Sequence, residues 1–256
     1  MAKAKTNTEK LALLRKGLDN NVTDYAAVLP PDIPPDKLVR SVVLAAKANP
    51  LLLSCTRDSL FEAAMRAAML GLEIGAGGCW FVPYKNSDTG QYVAQIQTDY
   101  RGEIKLALQH PDLASIQATN VYEGEDCRIK SGTVNSIEHE QRIDIERTDE
   151  KITATYAVAY FNNAAPPQFV LLSREQVEKT RQSSRGKDAM MWAKWWGEGA
   201  RKTAIRRLCK TLPKSTKLQW AHLAESLAEQ GVQGNVPGLD DWKPTVTAEE
   251  CDDANA

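Results

Sequence analysis

Apolar residues recur at helical spacing in the first third of the chain and at strand spacing through the middle. In TRDSLFEAAMRAAMLGLEIG, Leu60, Ala64, Ala67 and Ala68 share one helical face, and Phe61, Met65 and Leu72 widen the stripe. Gly71 and Gly75 mark its end. Upstream, a short amphipathic helix is predicted around Thr8–Leu18, and the proline-rich LPPDIPPDK separates it from the next element. Asp36 is the predicted N-cap of a helix over 37–48, which Asn49-Pro50 stops. From Cys79 the period becomes two. CWFVPY, the turn signal NSDTG and QYVAQIQT predict a β-hairpin. DYRGEIKLALQH predicts a short helix ended by Pro111. LASIQATNVY, RIDIER, TATYAVAYF and QFVLL predict strands, with 123–140 as a loop. Ser173 and Gln176 form a capping-box pattern opening SREQVEKTRQS. A last helix is predicted from about Lys217 to Gln230, and the Gly-, Pro- and acid-rich tail from Gly231 is predicted to be disordered. Helices, then a mostly antiparallel sheet, then helices make an α+β chain.

One stretch stands apart: MMWAKWWGEGARKTAIRRLCKTLPKS, which holds three of the six tryptophans. Ile205, Leu208, Cys209 and Leu212 fall on one side of a helical wheel, and Thr203, Arg206, Arg207, Lys210 and Lys214 on the other. The helix is expected to dock by the apolar stripe and show a cationic face. Gly197 and Gly199 each cost roughly 1 kcal/mol in a helix interior, so the pattern leaves open whether the helix continues through them. If it does, Trp192 and Trp196 lie on the cationic side with Trp195 at its edge. The tryptophans suit either core packing or stacking on unpaired bases.

Charge sharpens this picture. The chain of 256 residues has a formal net charge of −1, yet from Lys179 to Lys217 twelve Lys and Arg stand against Asp188 and Glu198. From Leu218 onward eight acids stand against Lys243. A local excess of this size signals an anionic partner, and the expected one is the backbone of a nucleic-acid strand, single-stranded by preference. No apolar run approaches the roughly 18 residues that span a bilayer, and the N-terminus lacks a signal-peptide pattern. Five scattered cysteines without a CxxC pair point to a reducing compartment and away from a zinc site.

Motifs for other chemistry are missing. There is no GxxxxGK[ST] loop, since Asp188 follows Gly186-Lys187, and so no sign of an ATP-driven motor. LGLEIGAGG lacks a dinucleotide-fold context, and His110, His139 and His222 are far apart in sequence. Two rival readings stay open. One is a metal-dependent nuclease built from Asp99, Glu103, Glu123, Glu125 and Asp126. The other is a general nucleic-acid-binding module without annealing activity.

LGLEIGAGGCWFVPYKN, QTDYRGEIKLALQHPDLASIQATNVYEGE, YAVAYF, SREQVEKTRQSS and WAKWWGEGARKTAIRRLCKTLPKS, in this order, resemble the RecT family of phage and prophage recombinases. The resemblance covers about residues 35–216, with ARKTAIRRL-x-K-x-LP as its most specific block. It implies a bent antiparallel sheet flanked by helices, with helical N-terminal and C-terminal lobes and a basic groove between them. It also implies ATP-independent annealing of single-stranded DNA by an oligomeric ring or filament, with no catalysis. Implied partners are single-stranded DNA, the annealed duplex, further copies of the chain, an exonuclease and a host single-strand-binding protein. No membrane and no cofactor are implied, beyond magnesium as a modulator of DNA binding, and the setting is the cytoplasm of a bacterial host.

The family's YRG motif matches Tyr100, Arg101 and Gly102, and its K-T-x-I-R-R block matches Lys202, Thr203, Ile205, Arg206 and Arg207. Its flanking tryptophans match Trp192 and Trp196, and its VPY strand matches Val82, Pro83 and Tyr84, followed by Lys85. Gly197-Glu198-Gly199 and Asp99 depart from the family pattern. The expected DNA-binding set is Lys85, Tyr100, Arg101, Trp192, Lys194, Arg201, Lys202, Arg206, Arg207 and Lys210. Arg201 lies near the apolar stripe and has an internal pairing as its alternative.

The expected organisation is an N-terminal arm (1–35), an annealing core (36–216), a helix (217–235) and an acidic tail (236–256). A tail of this charge is expected to compete with DNA for the cationic segment. Deleting 236–256 should therefore tighten DNA binding at low salt, measured by fluorescence anisotropy, and unchanged affinity would reject the competition.

Overall fold

The computed structural model describes residues 6–86, 89–130, 132–133, 135–184, 190–213 and 215–229. In chain order its elements are α1 (Asn7–Asn20), α2 (Val22–Val28), α3 (Pro35–Ala48), a 3-10 turn (Pro50–Ser54), α4 (Arg57–Leu70), β1 (Cys79–Lys85), β2 (Tyr92–Thr98) and α5 (Tyr100–Ala107). There follow β3 (Leu113–Tyr122), β4 (Asp126–Lys130), β5 (Ser136–Glu140), β6 (Ile152–Phe161) and β7 (Gln168–Ser173). The chain then runs through α6 (Arg174–Ser183), α7 (Met190–Lys194), α8 (Trp196–Cys209) and α9 (Thr216–Glu229). This is the α+β class expected, and every named strand pair is antiparallel. The chain divides into two compact units, Met1–Gly102 with Thr216–Ala256, and Glu103–Ser215, the division falling inside α5. No helix among the described residues is long and apolar enough to cross a membrane.

The first unit is built on local signals that work as read. Thr6 and Glu9 close a capping box at the start of α1. Leu14, Leu18, Tyr25, Val42 and Phe61 are buried together with the alanine face of α4. Gly71 ends α4 in the left-handed region at φ 67°, and the N–H groups of Gly71 and Leu72 return to the carbonyls of Ala68 and Ala67. The β1–β2 hairpin pairs Cys79 with Thr98 through Lys85 with Tyr92. Ala94 N–H donates to the Ser59 hydroxyl at 2.9 Å, tying the hairpin to α4. Asp36 is not the cap of α3. Pro35, with its fixed φ, occupies the first turn and the helix starts before Asp36, which then lies near the positive end of the helix dipole.

The second unit centres on the three-stranded sheet β3–β6–β7, with a separate β4–β5 hairpin. The strand expected at RIDIER and the loop expected at 123–140 change places. Cys127 and Ile129 alternate with polar neighbours, as do Ile137 and His139, and this segment forms the hairpin, from Asp126 opposite Glu140 to Lys130 opposite Ser136. The RIDIER segment bends instead. The Arg142 N–H (3.1 Å) and the Arg147 guanidinium both donate to Glu125 Oε1, which curls the segment back and takes its N–H away from any ladder. The Ser173–Gln176 capping box at α6 forms as expected.

Helix α8 lies on the sheet, burying Ala200, Ala204, Ile205, Leu208 and Cys209. Full burial of Ile205 and of Leu208 is worth about 2 kcal/mol each. The helix passes through both glycines, and its interruption falls at Trp195 (φ −141°, ψ 57°). Glycine is needed there for clearance. A Cβ on Gly197 would stand 2.7 Å from Asn120 Nδ2, 2.8 Å from Asp149 Oδ1 and 2.8 Å from Ile152 Cδ1. A Cβ on Gly199 would meet the Trp192 ring at 2.6 Å. The tail from Gly231, and Arg185, Lys187 and Lys214, lie outside the described residues.

Helix propensity alone says that Gly197→Ala stabilises α8 by about 1 kcal/mol. The clearance reverses the sign: the substitution should destabilise by about 1–3 kcal/mol through overpacking, read as a lower urea midpoint at unchanged m-value.

Candidate nucleic-acid interface

The orientation of α8 is set from beneath. Glu103, on α5, has no exposed surface, and Arg206 Nε lies 2.8 Å from its Oε1. A carboxylate removed from water needs a cationic partner, so Arg206, expected on the outer cationic face, turns partly inward instead, its side chain 27% exposed. The next residue on a helix is rotated by about 100°, and Arg207 is exposed, as is Lys210 at the C-cap. Burial pushes the thiol of neighbouring Cys209 up to about 12, which keeps it protonated and unreactive.

The remaining cations of α7, α8 and the α8 C-cap fall into two kinds. Arg201 pairs with Glu198 one turn earlier on the same helix. Lys194 is exposed and Lys202 half-buried. Lys194, Lys202, Arg207 and Lys210 have no carboxylate partner within 4.0 Å among the described residues. Arginine offers a two-pronged donor for phosphate and lysine a mobile point charge.

The tryptophans separate. Trp196 is buried, its Nε1 donating to Glu178 Oε2 at 3.4 Å and its ring covered by the Arg174 guanidinium at 4.2 Å. Arg174 is held by the carbonyls of Asp149 (2.7 Å) and Ile152 (3.0 Å). Trp196 is thus a packing residue, because the break at Trp195 turns it toward the sheet. Trp192 is half-buried, edge-on to Trp196 with centroids 6.5 Å apart, and packs on Gly199. Both rings line an open cleft of about 820 Å³ with Arg174, Glu178, Lys179 and Arg181. Trp195 is the exposed one, at 56%.

Three expected site residues lie in the first unit. Lys85 is exposed at the end of β1. Tyr100 opens α5, and the exposed Arg101 donates from Nε to the Tyr100 hydroxyl at 3.1 Å with its guanidinium 5.6 Å from the ring centroid. Arg101 is therefore held by its neighbour while its remaining N–H groups face outward.

Four of the five acids of the nuclease alternative are engaged elsewhere, Asp126 by Arg128. Glu103 faces Arg206, Asp99 accepts the Gly77 N–H at 3.0 Å, and Glu125 binds His139 and Arg147. Among the described residues no three His, Cys, Asp or Glu side chains stand where they could hold a metal ion. Glu103, Arg174 and Glu178 were missed as organisers of the site. Glu103 did carry a signal: it shares i, i+3, i+4 spacing with Leu106 and Ala107, so an acid sat in an apolar stripe.

A helix with exposed cations mounted on an open antiparallel sheet makes this an α+β protein with a cationic surface helix. The chain matches the RecT family over residues 36–233. It is 33% identical to Protein RecT of Escherichia coli (strain K12) over 200 residues, covering 77% of this chain and 73% of that protein. It is 30% identical over 150 residues to Uncharacterized protein YqaK of Bacillus subtilis (strain 168), covering 58% of this chain and 49% of that protein. The chain belongs to the RecT family, recombination proteins that anneal single-stranded DNA.

The two neighbouring arginines should separate in a stability experiment. Arg206→Ala takes a cation away from a buried carboxylate and should cost about 3 kcal/mol. Arg207→Ala should stay within about 0.5 kcal/mol of wild type. Chemical denaturation of both variants makes the comparison, and equal stabilities would show that the Glu103 pair does not hold α8.

Proposed function

We propose that the chain coats single-stranded DNA without sequence preference and anneals it to its complement without ATP, as part of phage-type recombination. The mechanism is electrostatic. Two strands repel one another, and cations bound to their phosphates let them lie side by side while the bases test complementarity. Sequence neutrality follows, because phosphate contacts position a strand without reading it. No residue is assigned a covalent step. Long strands need many protomers in a row, so the working form is an oligomer, a ring or a filament, with the N-terminal helices among its contacts. An exonuclease exposing the single strand and a host single-strand-binding protein are the expected partners, in the bacterial cytoplasm. Magnesium, if it acts, modulates binding.

The observation that carries this reading is that Lys194, Arg207 and Lys210 are exposed and Lys202 half-buried, all four free of carboxylate partners among the described residues. These four are the proposed backbone contacts in the second unit, with Trp192 as the ring available for a base; Lys85 and Arg101 of the first unit are proposed as secondary contacts. Arg201 and Arg206 are proposed as positioning residues, since each already has a carboxylate. Trp196 is proposed to support Trp192.

Annealing of complementary oligonucleotides without nucleotide is the test. Four phosphate contacts predict a slope of log K against log salt of roughly −3 on single strands, falling to roughly −1.5 in the Arg207→Ala/Lys210→Ala double variant. That variant should fold normally and anneal at least tenfold more slowly. Wild-type rate and slope in a folded double variant would remove the site assignment. Strand binding by wild type without any annealing would favour the general binding module, and shortened strands in magnesium or manganese would favour the nuclease.

A further inference from the structure

The open cleft of about 820 Å³ that Trp192 and Trp196 line is poorly suited to phosphate. Its cations are mostly matched: Arg181 Nε donates to Glu178 Oε1 at 2.8 Å, and Lys179 pairs with Glu175 at 2.9 Å. Arg174 is fixed over the Trp196 ring, with Nη1 on the carbonyls of Asp149 and Ile152. Three cations against two acids give the cleft little net pull on an anion, unlike the exposed and unmatched Lys194, Arg207 and Lys210.

What the cleft does offer is a ring beside hydrogen-bonding groups. Trp196 is buried and covered by Arg174, which leaves Trp192 as the ring able to take a ligand. Trp192 rests on Gly199 and stands edge-on to Trp196, so it is held in place before a ligand arrives, and little ordering cost remains. Among the described residues, Arg174 Nε and Nη2 and the side-chain carbonyl of exposed Gln182 have no hydrogen-bond partner. A fixed aromatic ring with donors and an acceptor around it suits an uncharged planar heterocycle whose rim carries both kinds of group.

We propose that this cleft takes one nucleobase of the bound strand per protomer, stacked on Trp192 with its edge against Arg174 and Gln182. Trp192 and Lys194 stand two residues apart on α7, so one short helix brings both a ring and a phosphate contact to the strand. A base in the cleft is withheld from pairing, and the bases outside it test complementarity. Stacking accepts any base, so sequence neutrality is kept. The proposal rests on the strand-binding reading and names what the cleft takes.

The test measures fluorescence anisotropy of full-length protein on two labelled strands of equal length and charge, an oligothymidylate and an abasic phosphodiester chain, across a salt series. Wild type should bind the base-bearing strand roughly tenfold more tightly, with equal salt slopes because the phosphate contacts are shared. Trp192→Ala should bring the two affinities together at unchanged slope, Trp192→Phe should keep most of the difference, and Trp195→Ala all of it. Gln182→Ala, at an exposed position that spares the fold, should weaken only the base-bearing complex, by a few-fold. A Trp192 that serves packing alone would, once removed, weaken both complexes alike. Equal binding of the two strands by wild type, equal losses on both in Trp192→Ala, or a Gln182→Ala protein indistinguishable from wild type overturns the cleft assignment and leaves phosphate binding standing. Failure of wild type to bind either strand overturns both.

Discussion

A carboxylate with no access to water organises the candidate interface. Glu103 is buried, and the Arg206 guanidinium lies 2.8 Å from it. A buried pair of this kind is poor evidence of added stability, because an apolar replacement of similar volume can serve as well. It does forbid alternatives. Turning α8 by one residue would bring either Ile205 or Arg207 to Glu103, setting an apolar side chain against the carboxylate or drawing an exposed arginine inward. The pair thus fixes the rotational phase of the helix, and the phase decides which cations face outward. Arg207 and Lys210 are exposed because Arg206 is committed.

Small residues let that arrangement close. Gly197 admits Asn120, Asp149 and Ile152 to the helix backbone, and Gly199 admits the edge of Trp192. Either position with a side chain would lift α8 or displace Trp192, while the break at Trp195 lets Trp196 turn under Arg174. What reads in sequence as a run of cations and aromatics is a layered assembly. Trp196 and Arg206 form its inner layer, Trp192 the middle one, and Trp195, Arg207 and Lys210 its surface.

Much of this was legible before any coordinates. The alanine stripe of α4, the VPY hairpin and the apolar side of α8 announced themselves by period, and the family resemblance supplied their combination. The misreadings share one cause. Periodicity ranks side chains by polarity and does not see which polar group captures which. Ile143 and Ile145 alternate as a strand would, but Glu125 takes the Arg142 N–H and pairs with the Arg147 guanidinium, which bends the segment. Arg206 sits among the cations on a wheel, but Glu103 takes it inward. The glycines of α8 look like weak points to a propensity scale, because their neighbours in space are far away in sequence.

Glu125 and Glu103 play the same part at two places in the second unit. Burial alone would raise the Glu125 carboxyl, but the N–H groups of Tyr122 and Arg142, His139 and Arg147 hold it below the usual carboxylate range. It stays ionised and keeps its donors. One buried carboxylate therefore sets the phase of a basic helix, and the other bends an acidic segment so that an isoleucine stands at its crest. In each case the buried charge acts through its neighbours on the surface.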